Sequence, residues 1–558
     1  MSNRTRWILS VSGGVLAALP WWGLPVTVLL ICFVPLFFVE DDIQARQEPV
    51  ISLLPFSFIF FFSWNMTVCW WIARIHILGG MSVIILNSVV MSLVFLLYSR
   101  IKRSTGGGVV VFVILWVSFE FLHYRGDLSW PWLSLGNGLA GNIRLIQWYE
   151  FTGTTGGSLW ILLVNVTIYS IIRNFSRKLR TRADYWLAAI LIFLVVFPAV
   201  VSLTIFNSYS ARSHPENFHE HQQVNPAQPC GNGESISTYE NYAGTGFLIL
   251  QPGLDPYRNK YRDVSNSQRL EHLFSLIGNN IEEGTRYIVS PETAVDSIWI
   301  TDPDDELSRR IYRFLEQYPG TVMVLGATAF SSVPRKGKSF TTRRDEKGNY
   351  YDIYNSALIF YEGGHMQVYH KHYLANGVEQ IPFQSVFRFL ARLSLDLGGV
   401  SGSLKRGEGP QVFTSPHADS LVFATLICFE SAYGEYAARM VNKGAEILIV
   451  ISNDGWFKNT GAYRQHLRLS QIRAIENRRS VVRAANTGIS AHISPAGEII
   501  DLLGWWEEGA LPVIADRNER ITFFTLYGDF TGRIALFFSL LMVLNFSVRL
   551  VLKAPGRK

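Results

Sequence analysis

Cys428 sits where an apolar run gives way to helical spacing, a position suited to a nucleophilic thiol. Leu421 to Ile427 is apolar with interspersed β-branched residues and reads as a buried strand. Beyond it, Tyr433, Tyr436, Ala437 and Met440 follow helical spacing, Gly444 is placed to end the helix, and Ile447 to Ile451 reads as the next strand. A thiol near a helix N-terminus sees the positive end of the macrodipole, which favours the reactive thiolate. A buried structural cysteine fits the same stretch, since free cysteine is among the most buried residue types, and both readings stand on these residues alone. Two more ionisable residues close strands: Glu292 ends "YIVSPE" and Lys371 ends "MQVYHK". Strand ends in α/β folds face the usual ligand site. A carboxylate there can take a thiol proton, and an ammonium can stabilise a thiolate or an oxyanion. Taken singly, Glu292 reads better as a turn cap and Lys371 as a surface charge. His370 and His372 flank Lys371 but face the other side of a strand, and no G-x-S-x-G competes.

The surrounding segments alternate in the manner of an α/β domain. "GFLILQPG", "YIVSPE" and "TVMVLGA" read as strands, with helical spacing over Gln268 to Ile281 and Leu307 to Leu315. "NSALIFYEGGHMQVYHK" reads as two strands around Gly364, Gln465 to Arg478 as a helix, and "SVVRAANTGISAHISP" as a strand pair.

The rest of the chain is suited to lipid. Of 558 residues 49% are apolar and only 17% charged, against about a quarter charged in soluble domains, and mean hydropathy is +0.18. Eight stretches are predicted as helical spans: Trp7 to Trp22, Leu24 to Val39, Val50 to Ala73, Ser82 to Tyr98, Val109 to Tyr124, Leu159 to Ile172, Trp186 to Phe206 and Ile534 to Leu552. The first runs into the second with no small-residue cleavage site, so a retained segment is expected. Net charge is +6, yet the basic residues cluster beside apolar stretches, which is a topology signal and no sign of nucleic-acid binding. Alternate loops and the two ends hold fifteen Lys and Arg, including Arg100, Lys102, Arg103 and Arg173, against three (Arg74, Arg125, Arg144) on the other side. Both termini are therefore predicted cytoplasmic, with the polar region outside. The expected domains are 1–206 (seven spans), a linker 207–244, a catalytic domain 245–533 and a closing span with tail, 534–558.

The linker carries His214, His219, His221 and Cys230. No partner cluster matches a metal site, so a solvated linker is expected, with no metal or cofactor. Cys230 could pair with Cys428 in an oxidising compartment, though one lies in a loop and the other ends a buried strand. Cys32 and Cys69 fall within apolar stretches.

"SPET" with Glu292, "YHKHYL" with Lys371 and "ICFES" with Cys428 follow the order of the nitrilase superfamily, which the chain resembles. The resemblance implies an αββα sandwich with a Glu–Lys–Cys triad. The flanking spans, "SNDGWF" (Ser452 to Phe457) and "QHLRLSQIRAIENRRSVVRAANTGISAHISPAGE" (Gln465 to Glu498) narrow it to the apolipoprotein N-acyltransferase family. That likeness implies a polytopic protein of the bacterial inner membrane, its α/β nitrilase-like domain outside the cytoplasm. It implies a phospholipid acyl donor, phosphatidylethanolamine, and apolipoproteins as acceptors. Glu292 becomes the base, Lys371 the charge stabiliser and Cys428 the nucleophile, with Glu379 and Glu430 as supporting carboxylates. The sequence departs from the family at "LANGVEQIPF", where a Pro-Phe-Gly-Glu run is usual, and at Phe429, where Tyr is common.

Lipid substrates need a site at the bilayer surface. Ser385 to Leu397 has the amphipathic, Arg-bearing character of an interfacial segment, or of a core-facing helix. Trp130, Trp132 and Trp148 suit the headgroup zone or ordinary packing. The rival readings are a membrane-tethered amidase and a transporter or scaffold with an inactive domain. Against the transporter, the spans hold few charges beyond Glu120.

Overall fold

Alternation along each strand of the polar region gives two apolar faces, and the chain buries both. The computed structural model describes residues 1–176, 182–213, 244–257, 264–376, 378–380, 404–416 and 419–553. The linker histidines, Cys230 and Ser385–Leu397 lie outside them.

The chain opens with seven helices: α1 (Asn3–Ala18), α2 (Val34–Ala45), α3 (Leu54–Ile75), α4 (Ile77–Thr105), α5 (Val110–His123), α6 (Tyr149–Ser176) and α7 (Arg182–Ser213). Among the described residues, five helices are long and apolar enough to cross a membrane: Val50–Ile75, Ile77–Thr105, Tyr149–Ser176, Arg182–Tyr209 and Phe530–Leu552; Val110–His123 is apolar but shorter. Where the sequence suggests one span over Leu24 to Val39, the structure has a 3₁₀ turn, Val26–Ile31, and then α2. Pro25 and Pro35 account for the break, since each removes a backbone donor. Asn165 of α6 satisfies the exposed backbone, accepting from Phe33 N at 2.9 Å and donating to Leu29 O at 2.7 Å. Apolar surroundings require such repair.

In the second half, β1 (Gly244–Gln251), α8 (Asn266–Asn280), β2 (Thr285–Val289), β3 (Val295–Trp299), α9 (Glu306–Leu315), β4 (Val322–Val333), β5 (Arg343–Arg344), β6 (Tyr350–Tyr361) and β7 (His365–His370) come first. They are followed by β8 (Phe413–Thr414), β9 (Val422–Ile427), α10 (Gly434–Asn442), β10 (Ile447–Ser452), α11 (Ala462–Asn477), β11 (Ser480–Ala485), β12 (Ser490–Ile493), β13 (Ile499–Leu503) and β14 (Gly509–Asp516). One sheet runs β14-β1-β2-β4-β6-β5, with β3 on β4 and β7 on β6; the other runs β13-β12-β11-β10-β9-β8. β1–β2–β4 and β9–β10–β11 are parallel. Leu248, Leu250, Ile288, Met323 and Leu325 pack under α8 and α9. Their neighbours Phe247, Ile249, Tyr287, Val289 and Val324 face the second sheet, where Tyr287 meets Phe423 with ring centroids 5.7 Å apart. Period-two burial thus produces the nitrilase-like αββα layering. The short α12 (Phe523–Tyr527) and the apolar α13 (Phe530–Lys553) close the chain.

Helix α11 is buried on nearly every side. One flank lies on the second sheet; the other docks on the membrane helices. Trp132 Nε1 donates to Gln465 Oε1 at 2.7 Å, and Arg468 reaches Pro20 O at 3.1 Å. Thr154 donates to Glu476 Oε1 from N and Oγ1 at 2.9 and 2.7 Å. At its C-terminus Arg478 Nε meets Glu150 Oε2 at 2.5 Å and Nη1 meets Gln147 Oε1 at 2.6 Å, all dry. Arg478→Met leaves the buried Glu150 carboxylate with the longer contact to the half-exposed Arg520, at 3.2 Å, in place of the close Arg478 pair. Removing one partner of a buried pair costs about 3–5 kcal/mol, so we expect a lower Tm in detergent, with Arg478→Lys retaining part of the loss; an unchanged Tm contradicts this role.

Candidate active site

Three strand ends converge on one cavity. Lys371 directly follows β7, Cys428 directly follows β9, and Glu292 lies three residues past β2. Two backbone positions here are left-handed, Cys428 at φ +52° and Thr293 at φ +50°. That conformation is costly for non-glycine residues and concentrates at functional sites.

Lys371 bridges two carboxylates. Its Nζ donates to Glu292 Oε1 at 2.9 Å and to Glu379 Oε1 at 3.0 Å. Asn355 Nδ2 donates to both the same oxygens at 2.7 Å. Glu292 Oε2 accepts from Asn453 N at 3.0 Å, and Glu379 Oε2 from Ala375 N at 2.7 Å. Lys371 is 2% and Glu292 6% exposed, so the cluster is nearly dry. Burial pulls the Lys371 pKa down, but Glu292 and Glu379 outweigh it and raise the pKa well above the usual range. The side chain is therefore a fixed cation. Glu379 reaches this cluster although the run before it departs from the family pattern.

Cys428 is a free, part-buried thiol. Burial pushes its pKa well above the ordinary value, Glu292 adds to that, and Lys371 opposes it. The sequence expectation that a helix end would favour thiolate does not hold here. Cys428 opens a five-residue 3₁₀ turn, Cys428–Ala432, and α10 begins only at Gly434. The resting thiol keeps its proton, and a thiolate beside two carboxylates and one ammonium would add uncompensated charge. Glu292 lines the same cavity as the thiol.

Glu430 points elsewhere. It accepts from Tyr369 Oη at 2.8 Å, His372 N at 2.7 Å and Ile427 N at 2.8 Å, tying the end of β7 to the end of β9. Burial pushes its pKa up to about 7 against those donors. His370 turns away to stack on Tyr354, ring centroids 3.8 Å apart, and His372 Nδ1 lies 2.7 Å from Gly407 O.

Part of the cavity's apolar lining comes from the N-terminal half. Trp71, Ile72 and Ile75 of α3, with Trp130 and Trp132, line the cavity that also holds Glu292, Lys371, Glu379 and Cys428. Phe429 stacks on Trp130 at 5.5 Å, and Phe457 packs edge-on against Trp71 at 4.7 Å. Trp148 packs instead on Tyr149 and Trp160. Glu120 is satisfied by Trp116, Ser134 and Leu135 N, which fixes the loop after α5. Sequence reasoning missed Asn355, Asn453, Trp71 and the buried set Asp454–His466–Arg483. Asn453, Asp454 and His466 lie within motif stretches, but nothing local reveals which atoms they meet.

Two family models match: "Carbon-nitrogen hydrolase" over residues 261–522 and "Apolipoprotein N-acyltransferase N-terminal domain" over residues 13–167. Among curated relatives, the apolipoprotein N-acyltransferase of Chlorobaculum tepidum is 25% identical over 86% of this chain and 85% of its own length. That of Thermotoga maritima is 25% identical over 95% of this chain and 92% of its own. Among solved structures, Nit3 of Saccharomyces cerevisiae, a nitrilase-superfamily protein, aligns with 49% of this chain and 90% of its own at 16% identity and a TM-score of 0.36.

The electrostatics around the thiol have signs that can be read directly. Glu292→Gln removes a charge that raises the Cys428 pKa, so the midpoint of the pH–rate profile for iodoacetamide labelling moves down. Lys371→Met removes the opposing charge and moves it up. Each shift is about one pH unit or more, read by mass spectrometry of the Cys428 peptide; shifts of the opposite sign refute the assignment.

Proposed function

The chain belongs to the apolipoprotein N-acyltransferase family, and from that premise we propose a two-step acyl exchange run by Cys428, Glu292 and Lys371. In the first step Cys428 Sγ attacks an ester carbonyl of a phospholipid, the sn-1 chain of phosphatidylethanolamine, as Glu292 takes the thiol proton. The oxyanion that forms faces the Lys371 ammonium, a preorganised charge in a water-poor cavity. Collapse breaks the ester bond, Glu292 returns its proton to the departing glycerol oxygen, and a lysophospholipid leaves behind a thioester on Cys428. In the second step the free α-amino group of a diacylglyceryl-cysteine at the N-terminus of an apolipoprotein attacks that thioester. Glu292 takes the amine proton and passes it to the leaving sulfur, so amide and free thiol are restored together. Glu379 holds Lys371 in place and Glu430 holds the two strand ends. No cofactor enters either step.

The observation that carries this reading is the composition of the cavity. Charged residues line one part of it; the rest is aromatic and aliphatic, with Trp71, Ile72, Ile75, Trp130 and Trp132 of the N-terminal half beside Phe429, Trp456 and Phe457. An acyl chain is the substrate part that such a lining suits, and an amidase acting on soluble amides has no use for it. We further propose the division into 1–206, a linker 207–244, a catalytic domain 245–533 and a closing span, with both termini cytoplasmic and the cavity at the outer, periplasmic face of a bacterial inner membrane.

Incubating the full-length protein with labelled phosphatidylethanolamine and no acceptor should leave one acyl group on Cys428 and release lysophospholipid in equal amount. Cys428→Ala should abolish both, and Lys371→Ala should slow thioester formation by about 100-fold or more, as loss of an oxyanion donor does. Acylation persisting in Cys428→Ala, or a label only on other residues, contradicts the mechanism.

A further inference from the structure

Cys428 must hold a left-handed backbone to present its thiol, and something must keep it there. Its carbonyl accepts from Ser431 Oγ at 2.8 Å and lies 3.0 Å from His466 Nε2, which is itself 2.9 Å from Ser431 Oγ; Nε2 donates to the carbonyl when it carries a proton. His466 is fully buried in α11. Its Nδ1 lies 2.7 Å from Asp454 Oδ1, and Asp454 Oδ2 accepts from Arg483 Nη2 at 2.7 Å. Arg483 is itself fixed by Ser452 Oγ at 2.9 Å and Ser470 Oγ at 3.1 Å. Burial would raise the Asp454 pKa, but Arg483 and His466 overcome it and hold the carboxyl at about 2. This buried chain ends on the nucleophile's own carbonyl and makes no contact with the thiol cluster's carboxylates. The residue before Asp454 supplies the N–H that Glu292 accepts. One turn, Asn453–Asp454, therefore sets both the carboxylate and the thiol-bearing backbone.

We propose that His466, oriented by Asp454 and Arg483, is a positioning residue that locks the left-handed turn at Cys428 and so aims the thiol at the scissile carbonyl. The inference rests on Cys428 being the nucleophile. Without the Nε2 contact the Cys428 carbonyl keeps Ser431 Oγ alone of these two partners, and the peptide has more freedom to leave the left-handed region and displace Sγ. Near-attack geometry is sensitive to displacements of about 1 Å.

The test is single-turnover acylation of Cys428 by phosphatidylethanolamine in mixed micelles, followed against donor concentration. His466→Leu keeps the volume without a donor; His466→Gln can place an amide N–H near the Nε2 position; His466→Asn cannot reach it. We expect His466→Leu to lower the maximal acylation rate about 100-fold with half-saturating donor changed less than about threefold, and His466→Gln to recover at least about tenfold. The inference is overturned if His466→Leu acylates within about threefold of the parent, if its loss lies in donor affinity, or if Gln does no better than Leu. Should the Leu variant fail to fold, the Gln and Asn pair decides: Gln faster supports the role, and equal rates overturn it. Cys428→Ser runs in parallel. If it retains parental turnover, the nucleophile assignment itself falls; if it is inert while His466→Leu is unimpaired, only the positioning role falls.

Discussion

One ammonium shared between two carboxylates, in a space water scarcely enters, is the constraint around which this protein is arranged. Lys371 neutralises only one of the two charges beside it, so the cluster with a protonated thiol already carries an excess negative charge. That excess disfavours a standing thiolate. It also explains why so many neutral donors converge there. Asn355, Asn453 N and Ala375 N spread the carboxylate charge without adding to it, and each comes from a different part of the fold. A buried ionic cluster is tolerable only when its remaining lone pairs are met in this way.

The two-sheet core makes that convergence possible, but α11 makes it useful. A helix with Gln465, His466, Arg468, Arg473 and Glu476 would ordinarily line a wet surface. Here it lies between the second sheet and the membrane helices, and its polar side chains become the joint between the two halves. His466 faces the Cys428 turn, Gln465 holds Trp132, and Glu476 caps Thr154 in α6. The geometry of that turn and the seating of the domain on the N-terminal helices thus meet in the same sixteen-residue element.

The strand ends were legible because the hydrophobic period changes there, from two to about 3.6, on either side of Cys428. The Glu, Lys and Cys stood out as ionisable types at such ends, and the motif order supplied their grouping. Other features resisted reading. Pro25 and Pro35 lie inside the apolar window Leu24–Val39, and its composition does not reveal that Asn165, far along the chain, repairs the break. β14 carries Pro512, which argues against a strand, but it lies at the sheet edge beside β1, where a missing donor is tolerated. Asn355 and His466 act through partners distant in sequence, so no local pattern could assign their contacts. The helix-end argument for thiolate failed because burial and Glu292, both consequences of tertiary structure, override a short 3₁₀ turn.

The side chains of α3 that close the cavity make the reaction chamber a property of neither half alone. Without Trp71, Ile72 and Ile75 the thiol's cavity would lose part of its apolar lining. The lid over the thiol thus belongs to a helix whose length and apolar composition suit it to lipid.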